Sequence, residues 1–218
     1  MQKSSCTVAD GARLMGLGLT EAEIARVYRV SYEKGETICR EGENLPFLLY
    51  ILTGRAKVYV SVSSGRSLLL SFYEGEGTLG DVELLTGGAC TTTVEAVERL
   101  IGLAVPIGVC RAAMENSRSF ILHLGRGVAK KLDRSSKNTA KNQLLPLESR
   151  LADYIVKTQQ DGVFSENLTA LSSLLGVSYR HLLRTLEQFR KEGILKKIDS
   201  GDRILLEAAL FSLADGQK

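Results

Sequence analysis

Tyr179, Arg180, His181 and Arg184 place four side chains with strong hydrogen-bond donors within six residues. A guanidinium can bond guanine O6 and N7 together, and tyrosine and histidine can donate to phosphates or stack on bases. They follow Ser178, whose hydroxyl suits a helix N-cap. Leu182, Leu186 and Phe189, with Leu183 beside them, recur at helical spacing on the opposite side. A shorter series, Leu171, Leu174 and Leu175, comes before them, and Thr169 is expected to cap that first helix. Gly176 falls where a tight turn needs positive φ, and Gly193 ends the second helix. Two short helices joined by a glycine turn, the second led by polar residues, describe a helix-turn-helix that presents its second helix to a major groove. The same spacing also suits a plain helical hairpin with a solvated basic face. Further on, Ile194–Leu195, a turn at Ser200-Gly201-Asp202 and the run Arg203–Leu206 predict a small hairpin. As a wing, it would hold Lys196, Lys197 and Arg203 near a phosphate backbone.

Charge is distributed to match. The net charge of +3 over 218 residues hides an uneven division. Residues 1–119 carry 12 Lys and Arg against 14 Asp and Glu, residues 120–197 carry 14 against 7, and the last 21 carry 2 against 4. The excess positive charge lies in the segment that holds the helix pair, as neutralisation of phosphates requires.

The elements that must position this pair come earlier in the chain. Thr20 and Glu23 form a capping box for a helix over Glu21–Val27. Between Val27 and Val105, β-rich runs alternate with glycine corners: Tyr28–Tyr32, Thr37–Cys39, Phe47–Leu52, Ala56–Val60, Ser67–Tyr73, Thr91–Ala96 and Leu100–Val105. That rhythm predicts a jelly roll, with one corner at Ser63-Ser64-Gly65-Arg66. Leu79–Leu85 interrupts it as a glycine followed by a short amphipathic turn, either an opening toward a ligand or a helical plug.

A long helix is predicted from Arg118 to Leu144. Ile121, Leu124, Val128 and Leu132 form a thin apolar stripe along it, suited to a seam with a second copy or to packing on its own roll. Pro146 ends it, and an amphipathic helix with Leu147, Leu151, Tyr154 and Ile155 follows.

The order of these parts, a glycine-punctuated roll, a long helix and a winged helix-turn-helix, resembles the CRP/FNR family of bacterial transcription regulators. Leu175–Leu183 looks most like its YeiL-type branch. The resemblance implies an α+β chain with a cyclic-nucleotide-binding-like β-roll over 1–117, a central dimerisation helix over 118–145 and a winged helix-turn-helix DNA-binding domain over 146–218. It implies a homodimer on palindromic double-stranded DNA, with RNA polymerase as a further partner. Thr169, Ser178, Tyr179, Arg180, His181, Arg184, Lys196 and Lys197 are the expected DNA contacts. Tyr179 and Arg180 stand where the family usually has Arg and Glu, so a different base preference is expected.

The effector residues implied by the resemblance are Gly80, Asp81, Cys90, Thr91, Ser135 and Ser136. Counting back without gaps from Val94-Glu95-Ala96, Cys90 occupies the place of the arginine that holds a cyclic phosphate, and Thr91 that of the adjoining serine. A buried phosphate without its cation loses a charge-assisted bond, so cyclic AMP is not expected to be the effector. An iron–sulfur cluster is disfavoured because only Cys6 lies near the N-terminus, and haem because His123 is the sole histidine near the roll.

Other classes fit poorly. A cupin-type enzyme needs several histidines inside the roll, and none precedes His123, so no enzyme is expected. Cys6, Cys39, Cys90 and Cys110 show no Cys-x-x-Cys spacing and read as free thiols in a reducing compartment. The polar start Met1–Asp10 and an apolar run limited to Leu45–Leu52 predict a cytoplasmic, membrane-free protein with no cofactor. Two alternatives remain beside an effector-controlled regulator: an effector-free one controlled by abundance, and a thiol redox sensor.

Overall fold

The computed structural model describes residues 1–61 and 67–216, with the backbone alone at 141–142. The predicted corner Ser63-Ser64-Gly65-Arg66 lies outside the described residues. The elements group into two units, residues 1–58 with 71–136, and residues 59–70 with 137–218.

The first unit begins with strand β1 (Gln2–Ser5), helix α1 (Val8–Gly16) and helix α2 (Glu21–Ile24). The roll follows: β2 (Tyr28–Tyr32), β3 (Thr37–Cys39), β4 (Phe47–Thr53), β5 (Arg55–Ser61), β6 (Ser67–Glu74), β7 (Gly77–Leu79), helix α3 (Asp81–Thr86), β8 (Thr93–Ala96) and β9 (Leu100–Pro106). Five strands form one sheet in the order β1-β2-β9-β4-β7, and four form another as β3-β8-β5-β6. Helix α4 (Ile107–Asn116) leads to the long α5 (Arg118–Leu144).

Strands β4 and β9 read as continuous apolar runs because both of their faces are buried. Phe47, Leu49 and Ile51 of β4 and Leu100 and Ala104 of β9 fill the interior of the roll. Leu48 of β4 and Leu103 and Val105 of β9 point the other way, into a second core completed by Leu14, Val109, Phe120 and Leu124 from the helices.

That second core corrects the expected stripe on α5. Leu124 has no exposed surface, while Ile121 and Leu132 are 45% and 69% exposed. Leu124 therefore joins Phe120 in packing on the unit's own strands. The apolar face left outward is Ile121, Val128 and Leu132, at spacings of seven and four. Helix α2 also ends at Ile24 rather than Val27, although its Thr20–Glu23 capping box forms as expected. Val27 turns instead into the second core. Strand β8 starts at Thr93 rather than Thr91.

The polar N-terminus is more structured than its composition suggests. Strand β1 pairs antiparallel with β2, and α1 opens on a capping box between Thr7 and Asp10. The Asp10 carboxylate also takes two bonds from Arg29, at 2.6 and 3.0 Å.

The second unit holds α6 (Leu147–Thr158), β10 (Val163–Phe164), α7 (Leu168–Leu174), α8 (Tyr179–Lys191), β11 (Leu195–Ile198), β12 (Gly201–Ile204) and α9 (Glu207–Ala214). Its sheet runs β10-β12-β11. The hairpin turn is thus Asp199-Ser200, and Gly201 and Asp202 belong to the strand. Tyr154 and Phe164 meet edge to face in the core, with ring centroids 6.3 Å apart. No helix among the described residues is long and apolar enough to cross a membrane.

Arg29 and the Thr7 amide hold Asp10 down to a pKa of about 2. Its ionised form is therefore favoured by folding, and the sign of the pH effect follows. Against an ordinary carboxyl, this supplies about 2 kcal/mol that is complete above roughly pH 5 and lost as pH falls toward 2. Urea unfolding of Asp10→Asn should show that deficit at pH 7 and a shrinking one toward pH 3. A deficit independent of pH would refute the assignment.

Candidate functional site

Helix α8 is built as the sequence implies. The Ser178 hydroxyl accepts from the His181 amide at the N-cap, and Gly176, at φ 66°, makes the preceding turn. An L-residue there would be strained, which is why glycine stands at this corner. The buried side holds Leu182, Leu186 and Phe189, together with Thr185, whose hydroxyl donates to the His181 carbonyl at 3.2 Å. Tyr179, Arg180, His181 and Arg184 are all exposed. At about 100° per residue, Arg180 and Arg184 lie within about 40° of each other on the outward line, and Tyr179 and His181 flank it. Glu187 and Lys191 extend the same line, a carboxylate acceptor and a cation that the sequence reading passed over. The stripe can supply bidentate donors, an acceptor and phosphate-facing cations to one groove.

Helix α7 differs from expectation at its start. Asn167 is the N-cap, its Oδ1 accepting from the Thr169 and Ala170 amides at 3.0 Å each. Thr169 is instead an exposed residue of the first turn. The Asn side chain reaches the amides two and three residues on, which a threonine already inside the helix cannot do.

The wing is fixed to α8 by one ion pair. Arg190 donates from Nε and Nη2 to the two oxygens of buried Asp202, at 2.6 and 2.8 Å. Hydrogen bonding to Asp202 raises the Arg190 pKa. Lys196 and Arg203 face each other across β11 and β12 and are exposed. Lys197 is exposed too, with its ammonium 3.8 Å from Asp202.

In the first unit, the predicted effector residues do not form one cluster. Gly80 is the left-handed N-cap of α3, and Asp81 has no exposed surface. Lys131 reaches from α5 to Asp81 Oδ1, which also accepts from the Val82 amide at 3.0 Å. Burial works against the Lys131 ammonium, but Tyr73 and Asp81 outweigh it and raise its pKa. Asp81 Oδ2 has no hydrogen-bond partner among the described residues. Gly127 of α5 passes so close that a Cβ there would stand 3.1 Å from that oxygen. Thr91, Ser135 and Ser136 are exposed, and the Ser136 hydroxyl donates to the Leu132 carbonyl at 2.9 Å.

Cys90 meets Cys39 rather than Asp81. The two thiols interact and both line a cavity of about 300 Å³, and the Cys39 thiol donates to the Thr92 carbonyl at 3.8 Å. Burial pushes both thiols up, and Glu83 adds to the effect in each case. Cys90, expected at the position of the cyclic-phosphate arginine, is a buried thiol that feels the charges of Glu83 and Glu43. Cys110 lies in the second core, with its thiol pushed up to about 12 by burial. Among the described residues, no three His, Cys, Asp or Glu side chains gather as metal ligands.

Residues 29–117 match the cyclic nucleotide-binding domain family. The chain is 33% identical over 177 residues to the regulatory protein YeiL of Escherichia coli O157:H7, which covers 81% of each. It is 22% identical to a CRP-like cAMP-activated global transcriptional regulator of Mycobacterium tuberculosis, over 77% of this chain and 79% of that one. A solved chain assigned to the CRP/FNR family from Eubacterium rectale superposes with a TM-score of 0.77 at 17% identity, over 90% of this chain and 95% of that one. A CRP/FNR-family regulator from Thermus thermophilus gives 0.69 at 18% identity, over 87% and 100%.

Removing the lysine of the Asp81–Lys131 pair strands a carboxylate in the interior. Lys131→Met should cost about 3 kcal/mol in urea unfolding, at the low end for a broken buried pair because the lysine end reaches solvent. Asp81→Asn with Lys131→Met should recover part of the loss. An unchanged midpoint in the single variant would show that Asp81 is neutralised by another route.

Proposed function

This chain belongs to the CRP/FNR family of transcription regulators, and we propose that it works as a homodimer that binds a palindromic DNA site through α8 of each copy. The observation that carries the reading is the Arg180–Arg184 line on a capped helix whose opposite face is wholly buried. Arg180 is assigned to a base edge, and Tyr179, His181 and Arg184 to bases or phosphates. Ser178 and Thr169 present the N-terminal ends of their helices, and Lys196 and Lys197 face the backbone from the wing. The outward Ile121, Val128 and Leu132 supply the seam on α5, and a two-fold dimer demands half-sites about 34 Å apart. RNA polymerase is the further partner of such a regulator, and no enzymatic role is assigned.

The roll is read as the sensing part, with an effector other than cyclic AMP. A cyclic phosphate at Cys90 would meet a thiol flanked by Glu83 and Glu43 instead of a cation. An effector acts on DNA affinity only through unequal binding to two arrangements of the dimer, carried here by α5. No cofactor is assigned.

A thiol sensor is the second reading, favoured by the Cys39–Cys90 contact alone. Two adjacent thiols can give a disulfide by passing two electrons and two protons to a peroxide. Burial keeps both protonated, which slows that attack because the thiolate is the nucleophile. DNA affinity should therefore be unchanged after a brief exposure to hydrogen peroxide. A reversible loss that disappears in Cys39→Ser would establish this second reading.

Selection from random-sequence duplexes should enrich a palindrome, and failure to enrich any would overturn the DNA-binding proposal. Arg180→Ala should cost about 1–3 kcal/mol and relax preference at one position per half-site. Uniform weakening across sequences would make Arg180 a phosphate contact.

A further inference from the structure

Helix α5 turns a second set of residues toward strands β4 and β7, where a cavity of about 370 Å³ lies between helix and sheet. Its walls are aromatic. The rings of Tyr50 and His123 stand 6.1 Å apart, and the Lys131 ammonium sits 5.4 Å from the centre of the Tyr73 ring. The Thr78 hydroxyl is 3.1 Å from His123 Nε2 and sets the orientation of the imidazole.

Its lining is strongly basic. Arg126, Lys130, Lys131 and Arg134 contribute four cations, and Glu76 is the one carboxylate among the lining residues. Glu76 is already committed, since Arg13 pairs with it and Tyr50 donates to it. Lys131 is committed to Asp81, and Arg134 donates to the Phe72 carbonyl at 2.8 Å. Among the described residues Arg126 and Lys130 pair with no carboxylate. Burial together with the charge of Lys130 and Arg126 lowers the His123 pKa, although Asp81 opposes them. The imidazole is therefore neutral near pH 7 and free to exchange hydrogen bonds. Like charges held beside a concave, aromatic wall focus a positive potential on the enclosed space, and an anion relieves the repulsion.

We infer that this cavity binds a small molecule that combines a planar ring with an anionic oxyacid group, the ring against Tyr50 and Tyr73 and the anion against Arg126 and Lys130. The volume falls in the range of small-ligand pockets. None of Gly80, Asp81, Cys90, Thr91, Ser135 and Ser136 lines this cavity, which adjoins the effector position that the family resemblance implies through the Lys131–Asp81 pair but shares no residue with it. A ligand here bridges α5 to the sheet and so favours one setting of that helix. Only this consequence for DNA rests on the reading of the roll as a sensor.

Isothermal titration of the full chain, without DNA, tests the inference apart from the DNA-binding proposal. Phenyl phosphate and benzoate are the probes, which separate a phosphate from a carboxylate source, and inorganic phosphate is the ringless control. At least one ring-bearing anion should bind saturably, one per chain, and more tightly than inorganic phosphate. Arg126→Ala with Lys130→Ala, both exposed positions, should weaken it at least about tenfold while circular dichroism stays unchanged. The absence of saturable binding by both probes would overturn the site. So would equal affinity for inorganic phosphate, or affinity unaltered in the double variant. Success or failure of palindrome selection leaves each of these outcomes standing.

Discussion

A carboxylate with no exposed surface needs a counter-ion, and the first unit is arranged around that need. Asp81 opens α3 at the edge of the roll, and the ammonium that neutralises it comes from Lys131, fifty residues on. The pair ties α3 to α5 and fixes which way α5 is turned. Phe120 and Leu124, two turns and more before Lys131, are locked into the core under β4 and β9. With its rotation set at both places, α5 must present Ile121, Val128 and Leu132 to the outside and His123, Lys130 and Arg134 to the cavity. The outward apolar face and the cavity are two sides of one rotational setting. Within the first unit, the Asp81–Lys131 pair and the packing of Phe120 and Leu124 act on the same helix segment, so a change at one is felt at the other.

The second unit uses the same device on a smaller scale. Buried Asp202 on the wing is neutralised by Arg190 at the end of α8, so the hairpin cannot turn independently of the helix that carries Arg180 and Arg184. Pairing two buried or half-buried charges adds little net stability by comparison with apolar packing, but it gives a single geometry. For the proposed DNA-binding surface, a fixed angle between helix and wing is the useful outcome. The Arg150 guanidinium does a related task, donating to the Leu175 carbonyl at 2.7 Å and so holding the end of α7 before the Gly176 turn.

Much of this architecture could be read from residue order because local rules govern it. Apolar spacing of 2 or 3.6, caps at Thr20 and Ser178, and glycine corners at Gly176 and Gly193 act within a few residues. They place most strands of the roll, the full length of α5 and both helices around Gly176. Where two local signals competed, the nearer amides won, and Asn167 rather than Thr169 caps α7. Elements that carry few apolar residues left no such trace. Strand β1 is exposed along its whole length and exists by pairing with β2, and β7 is three residues between glycine turns.

What the sequence by itself determined is therefore the series of elements, the family resemblance and the outward Arg180–Arg184 line, since each depends on neighbours in the chain. Tertiary structure alone decided which side of α5 faces the roll, because Leu124 and Leu132 are equally apolar as letters and only packing against β9 tells them apart. It also decided that Asp81 meets Lys131, that Cys90 meets Cys39 and that Arg190 meets Asp202. Those partners are 12 to 51 residues apart in the chain, and a charge or a thiol finds its partner through burial and distance in space, which no local spacing encodes.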